Sequence, residues 1–355
     1  MRLLLDAEQR AFAASLDALL TAADTPAVAR AWGRGESAAG RALWVRLAEA
    51  GVFALAVPEA YEGFGPRPVD LAVAFVELGR HAVPGPLVET VTAAVLLAGS
   101  DPRTAERLLP GLASGKTPAT VAPPGPAGPS PARGTGAGVR SPAVGPRRRP
   151  GGTAAPRLPE GPLALDGDAA ALRLTWEPDG VRRSPGHGAA RPSLDPARRL
   201  TPLVPGGELL AAPSPAALVW ARLATAAQAL GVGLALLDRT VGHVGRRHQF
   251  GVPVGSFQAV KHRLADAKIA LEFARPLLFG AALTLRPADV AAAKAAACEA
   301  AYATARTALH LHGALGYTAE YDLSLWLGKA RALRTAWGSP QECRALVVSA
   351  RDRRW

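Results

Sequence analysis

Residues 246–262 read RRHQFGVPVGSFQAVKH, from Arg246 to His262, and they interrupt two long runs rich in alanine and leucine. Upstream, 217–246 holds no proline and places Leu223, Ala227, Leu230, Leu234, Leu237, Val241 and Val244 at alternating steps of four and three. That spacing predicts one apolar stripe along a long helix. Downstream, 257–278 repeats the pattern with Val260, Leu264, Ala267, Leu271 and Ala274. Two more helices are expected over 289–312 and 323–337, and a short last one over 341–350. Four antiparallel helices with short joints predict a bundle over 216–355.

Within the interruption, Phe250-Gly251 and Pro253 are expected to end one helix and Ser256 to cap the next. Arg246, Arg247, His248 and Gln249 would then lie in a last helical turn, close to the free backbone donors that begin the following helix. Arginine binds phosphate oxygens bidentately and a helix start favours an anion, so the corner can serve as a diphosphate clamp. The same residues also suit a helix C-terminus that gathers cations against its dipole. Local chemistry leaves both readings open.

Outward from this bundle, 1–115 reads as a helical domain. Apolar residues at Phe12, Leu16, Leu19 and Leu20 predict a helix over 7–22, and Leu43, Val45, Leu47 and Ala50 another over 40–50. The loop VPEAYEGFGP (57–66) follows, then two helices over 69–80 and 86–99. From 116 to 215 the periodicity fails. Residues 122–162 are mostly Pro, Gly, Ala, Ser and Arg, too poor in branched apolar side chains to offset the entropy of ordering. The composition over 127–161 also has the look of an out-of-frame reading of a GC-rich gene. Strand signals return at 162–165 and 171–176, joined by the turn Asp166-Gly-Asp168. A small, degenerate and partly disordered β domain is expected here, with Trp176 as a packing aromatic. The fold class is therefore mainly α, in three parts.

The chain of 355 residues carries a net charge of +12, which raises a nucleic-acid hypothesis. Its distribution argues against one. Between 133 and 200, twelve arginines stand against six acids, which accounts for half of the excess, and Trp176 is the sole aromatic among them. Bases would find no stacking platform. No secretory leader is recognisable after Met1, and no run reaches the roughly 18 apolar residues of a membrane span, so a cytoplasmic protein is expected. Cys298 and Cys343 are too few and too far apart for a disulfide framework or a metal centre, and are expected to be buried thiols.

RRHQFGVPVGSFQAVKHRLADAKIALEFAR from Arg246, HLHGALGYTAEYDLSLWLGKARAL from His310 and VPEAYEGFG from Val57 together resemble the acyl-CoA dehydrogenase family. The resemblance covers roughly 1–115 and 210–345. It implies FAD held between a central β domain and a C-terminal four-helix domain, with contacts reaching a neighbouring subunit, an acyl-CoA substrate and an electron-transfer flavoprotein or similar acceptor. Carried over residue by residue, it assigns Arg247 and Gln249 to the FAD diphosphate and adenosine portion, with Phe250 packed beside it. Gln258, His310, Gly313, Ala314 and Ser339 would line the cofactor further.

Desaturation of an acyl thioester needs a carboxylate near the α carbon and hydrogen-bond donors for the developing enolate. In the family this base is usually a glutamate just after the last long helix, where this chain reads Thr335-Ala-Trp-Gly-Ser339. Trp337 stands at that position. The second family placement falls on Ala221, beside Arg222. Glu320 is the nearest carboxylate left in a motif, with arginine pairing or helix capping as its expected role. The resemblance is thus to the base-lacking subunit of bacterial heteromeric members acting on bulky thioesters such as steroid side chains. A self-sufficient homomer with another base, and a flavin-free scaffold, are the alternatives.

Overall fold

The computed structural model describes residues 5–124 and 161–350. The segment 127–161, apart from Gly161, lies outside the described residues. Six helices come first: α1 (Ala7–Thr21), α2 (Thr25–Gly33), α3 (Ala38–Glu49), α4 (Pro68–Arg80), α5 (Leu87–Ala98) and α6 (Pro102–Ala113). Four of them match the apolar spacing. The other two, α2 and α6, are not announced by it, because α2 is only nine residues long and α6 carries Pro110 inside.

The central part contains β1 (Ala119–Ala122), β2 (Leu163–Leu165), β3 (Leu172–Glu177), β4 (Gly180–Arg183), β5 (Leu200–Pro202) and β6 (Leu209–Ala211). One sheet runs β1-β3-β4-β6, with β1 parallel to β3 and the other pairs antiparallel, and β2 pairs β5 in a second ribbon. The turn at Asp166–Asp168 therefore joins two sheets and is not the tip of a hairpin. Trp176 packs half-buried against the main core, as its strand pattern predicts. Arginines of this segment are partly neutralised locally: Arg182 meets Asp179 at 2.7 Å and Arg199 meets Asp168 at 2.7 Å.

The C-terminal part holds α7 (Pro215–Arg246), β7 (His248–Gln249), β8 (Val252–Pro253), α8 (Gln258–Thr284), α9 (Pro287–His312), α10 (Leu323–Thr335) and α11 (Pro340–Ser349). Helix α7 is the axis of the molecule, packing against α4, α5, α8, α9 and α10. A single stripe understates it, since every residue from Leu223 to Leu237 is buried. By length and composition α7 could cross a bilayer, contrary to the sequence expectation that no such run exists, but 89% of its apolar window is buried inside the protein. Glycines let α4 and α7 touch backbone to backbone. A Cβ on Gly79 would stand 2.1 Å from the Gln228 carbonyl oxygen, and one on Gly231 1.9 Å from that of Val76. Cys298 and Cys343 are free and buried, as expected.

Candidate functional site

Two places gather chemistry. At the first, the corner 246–257, helix α7 ends at Arg246, so Arg247 and Gln249 do not lie in a last helical turn as the sequence predicts. His248–Gln249 and Val252–Pro253 form an antiparallel hairpin instead, with Phe250 and Gly251 at its tip. Both tip residues have positive φ, 54° and 79°. Two successive left-handed residues match the right-handed twist of a tight hairpin, so the residues after Arg246 leave the helix for a hairpin. Nor does Ser256 cap α8: its hydroxyl donates to the Pro253 carbonyl, and Phe257 is the N-cap. Phe250 is left 91% exposed, edge-on to Phe257. Gln249 and Gln258 are exposed as well.

Arg247 ties this hairpin to the end of α9, its Nη1 donating to the His312 carbonyl at 3.3 Å. Gly313, at φ 61°, begins the one-turn 3-10 helix Gly313–Tyr317, where Ala314 is exposed. Beneath Arg247 the His243 and His312 rings stack with centroids 4.1 Å apart. Burial holds both imidazoles below their ordinary range, so the pair stays neutral beside two arginines. On the outer face of α8 and α9, His310 shares a groove of about 460 Å³ with Arg263, Arg306 and Tyr317. Arginine, histidine and an exposed phenol on one groove suit an anionic, aromatic ligand.

The second place is a chamber of about 550 Å³ between the central strands and the loop after α10. Its walls are largely apolar, with Val121, Leu163, Leu165 and Leu200 among them, and its polar groups are Glu89, Arg198, Ser193 and Thr335. Trp337 closes one side at φ 58°. Three interactions hold its loop. Arg222 Nε donates to the Trp337 carbonyl at 3.1 Å, Lys294 Nζ to the Gly338 carbonyl at 2.6 Å, and the Trp337 indole to Glu89 Oε1 at 3.4 Å. The Ala221–Arg222 pair and Trp337 are thus brought to one corner, although Ala221 itself is buried in the helical core. Ser339 caps α11, accepting from the Glu342 amide.

Glu89 is 3% exposed, on α5. Burial pushes its carboxyl up, against the opposing pull of Arg198, the Trp337 indole and Lys329. Sequence reasoning does not find it, because a lone glutamate in an apolar helix carries no motif. Its one signal is that a charged residue interrupts a run otherwise fit for burial. Glu320 is exposed; its backbone carbonyl accepts from Arg30, and the carboxylate that pairs with Arg30 is that of Asp322.

Residues 6–116 match the acyl-CoA dehydrogenase N-terminal domain and residues 214–350 the C-terminal domain of the same family. The chain belongs to the acyl-CoA dehydrogenase family. Acyl-CoA dehydrogenase IpdE2 of Mycobacterium tuberculosis is 30% identical over 321 residues, covering 89% of each chain. The protein of the same name from Mycolicibacterium smegmatis is 29% identical over 302 residues, 84% of this chain and 85% of its own. Among solved structures, a variant of the Tcur3481-Tcur3483 steroid ACAD superposes with TM-score 0.74 at 26% identity, covering 96% of both chains. The ChsE4-ChsE5 complex from Mycobacterium tuberculosis shares the fold with TM-score 0.78 at 24% identity over 98% of both. These likenesses bear out the expected family and the mainly helical fold. Acyl-CoA dehydrogenases are FAD-dependent oxidoreductases acting on CH–CH groups, which gives FAD as the cofactor.

Proposed function

We propose that this chain is the FAD-completing subunit of an acyl-CoA dehydrogenase oligomer, giving its Arg247 corner to a flavin held mainly by a partner whose own glutamate is the base there. The observation that carries this reading is the exposure of the clamp. Gln249, Phe250, Gln258, His310 and Ala314 all face outward, and the Arg247–His312 contact ties the two loops that present them. Ligand sites inside a chain are usually concave and cover most of their ligand. A hairpin with a bare phenylalanine at its tip fits a group offered from outside.

When bound, FAD accepts the reducing equivalents of the desaturation. This chain's residues would bind and orient it: Arg247 and the groove arginines neutralise phosphate charge, Phe250 and Tyr317 cover ring faces, and Gly313 leaves room for close backbone approach. The neutral His243–His312 stack lets Arg247 keep its place without cationic crowding. Trp337 at the usual base position supports a partner-supplied glutamate for that shared site. The steroid ACAD likeness supports a bulky CoA thioester as substrate, an electron-transfer flavoprotein or similar protein as acceptor, and a second, unlike chain as partner.

Expression alone and together with a base-bearing dehydrogenase chain from the same source tests the proposal. The pair should retain a flavin absorbance band through gel filtration and reduce it with acyl-CoA. A flavin bound equally well by the isolated chain would overturn the shared site. A self-sufficient chain has one observation in its favour, the carboxyl of Glu89 in the chain's own chamber.

A further inference from the structure

The chamber behind Trp337 contains a group that neither base position accounts for. Glu89 reaches it from α5 and is 3% exposed. Its Oε1 takes the Trp337 indole N–H at 3.4 Å and faces Arg198 Nη2 at 4.0 Å. Its Oε2 is buried and has no hydrogen-bond partner among the described residues. An unsatisfied carboxylate oxygen among largely apolar walls costs free energy, and a catalytic role is one reason for such a group to be kept. Oε1 is oriented from two sides, and the covered Oε2 is the carboxylate oxygen that no described residue engages. The volume, about 550 Å³, suits the acyl and thioester portion of a CoA ester.

We propose that Glu89 is the proton acceptor for an acyl thioester bound in this chain's own chamber. The step breaks the Cα–H bond and forms an O–H bond at the Glu89 carboxylate, and the electron pair moves into the thioester carbonyl as an enolate. No oxidant enters it, so it is distinct from electron transfer. Burial raises the carboxyl above the ordinary glutamate range, while Arg198, the Trp337 indole and Lys329 favour the anion. This rests on the dehydrogenase reading of the chain but not on the Arg247 corner. The corner serves a neighbour's site and Glu89 this one, so they hold or fail separately.

The test uses butyryl-CoA and the full-length chain in D2O. Binding is followed by calorimetry, and exchange at Cα by mass spectrometry of the recovered thioester. Exchange should follow a single raised carboxyl titration, fall at least 100-fold in Glu89→Gln, and fall less in Glu89→Asp, with binding kept in both. Trp337→Phe, which removes the indole donor to the anion, should move the titration midpoint upward without abolishing exchange. That shift keeps the idea testable should Glu89→Gln fail to fold. Binding without exchange, undiminished exchange in Glu89→Gln, or an unmoved midpoint in Trp337→Phe overturns the role of Glu89. Absence of binding overturns the use of this chamber for thioesters altogether.

Discussion

The indole of Trp337 donates to the carboxyl of Glu89 across 3.4 Å, so the residue at the family's base position is joined to a carboxyl arriving from another helix. Trp337 is 7% exposed and its loop is gripped by Arg222 and Lys294 through the carbonyls of Trp337 and Gly338. The ring therefore packs as core while its N–H orients Glu89. Trp337→Ala should cost about 3–5 kcal/mol of stability through cavity formation. Trp337→Phe keeps most of the packing and loses one hydrogen bond, for about 1 kcal/mol. Thermal melts of both variants check the order; equal losses would mean the ring volume is not what the site needs.

Arg247 is half-buried and tied to the end of α9, yet its neighbours on the hairpin are exposed. Arg247→Ala removes a cation without opening the core, so the melting temperature should change little. Flavin affinity of the assembled oligomer should fall roughly tenfold or more, the worth of one charge-assisted phosphate contact. Fluorescence titration of the stripped complex with FAD gives the number. Unaltered affinity would remove Arg247 from the clamp.

Much of the helical scaffold was legible because apolar residues recur at helical spacing along α1, α3, α4, α5 and the bundle helices, even where, as in α4, α5 and α7, burial extends well beyond one face. The corner misled in detail. Phe250 takes a left-handed backbone that its residue type rarely adopts, so nothing in its composition distinguishes a hairpin from a frayed helix end. Arg247, Gln249 and His310 could be picked from a motif because their neighbours in sequence carry it. Glu89, Arg198 and Lys294 could not, and Arg222 is marked only as the neighbour of Ala221. They meet at Trp337 from α5, the segment before β5, α7 and α9, and such a meeting exists only after the chain has folded.

Lys329 and Asp195 form a buried ion pair at 3.1 Å, with both side chains 2% exposed or less. It pins α10 to the stretch 194–196, whose backbone lies against Gly328. Breaking one partner leaves an uncompensated charge in the interior, so Lys329→Met should cost about 3–5 kcal/mol. Adding Asp195→Asn removes the stranded carboxylate and should recover part of that loss. A double-mutant cycle by denaturant unfolding measures the coupling, and strict additivity would show that the pair contributes no specific interaction.

Asp166 supplies a pH test of the central segment. Its side chain is fully buried at φ 49°, with Oδ1 accepting from the Arg199 amide at 3.1 Å. Burial raises its carboxyl from 3.8 to about 7. In the window between those values the unfolded chain has released this proton and the folded chain still holds it. Stability therefore falls as pH rises from about 4 to about 7 and levels off above, by an upper bound of roughly 4 kcal/mol for this group. Glu77, raised to about 7 on α4, adds a slope of the same sign. Asp166→Asn keeps the Oδ1 acceptor and tolerates the left-handed backbone, so it should leave the fold intact and flatten part of the decline. Melting temperatures from pH 4 to 8 decide it: parallel curves for variant and wild type would mean that Asp166 stays ionised in the folded protein, held by Arg199.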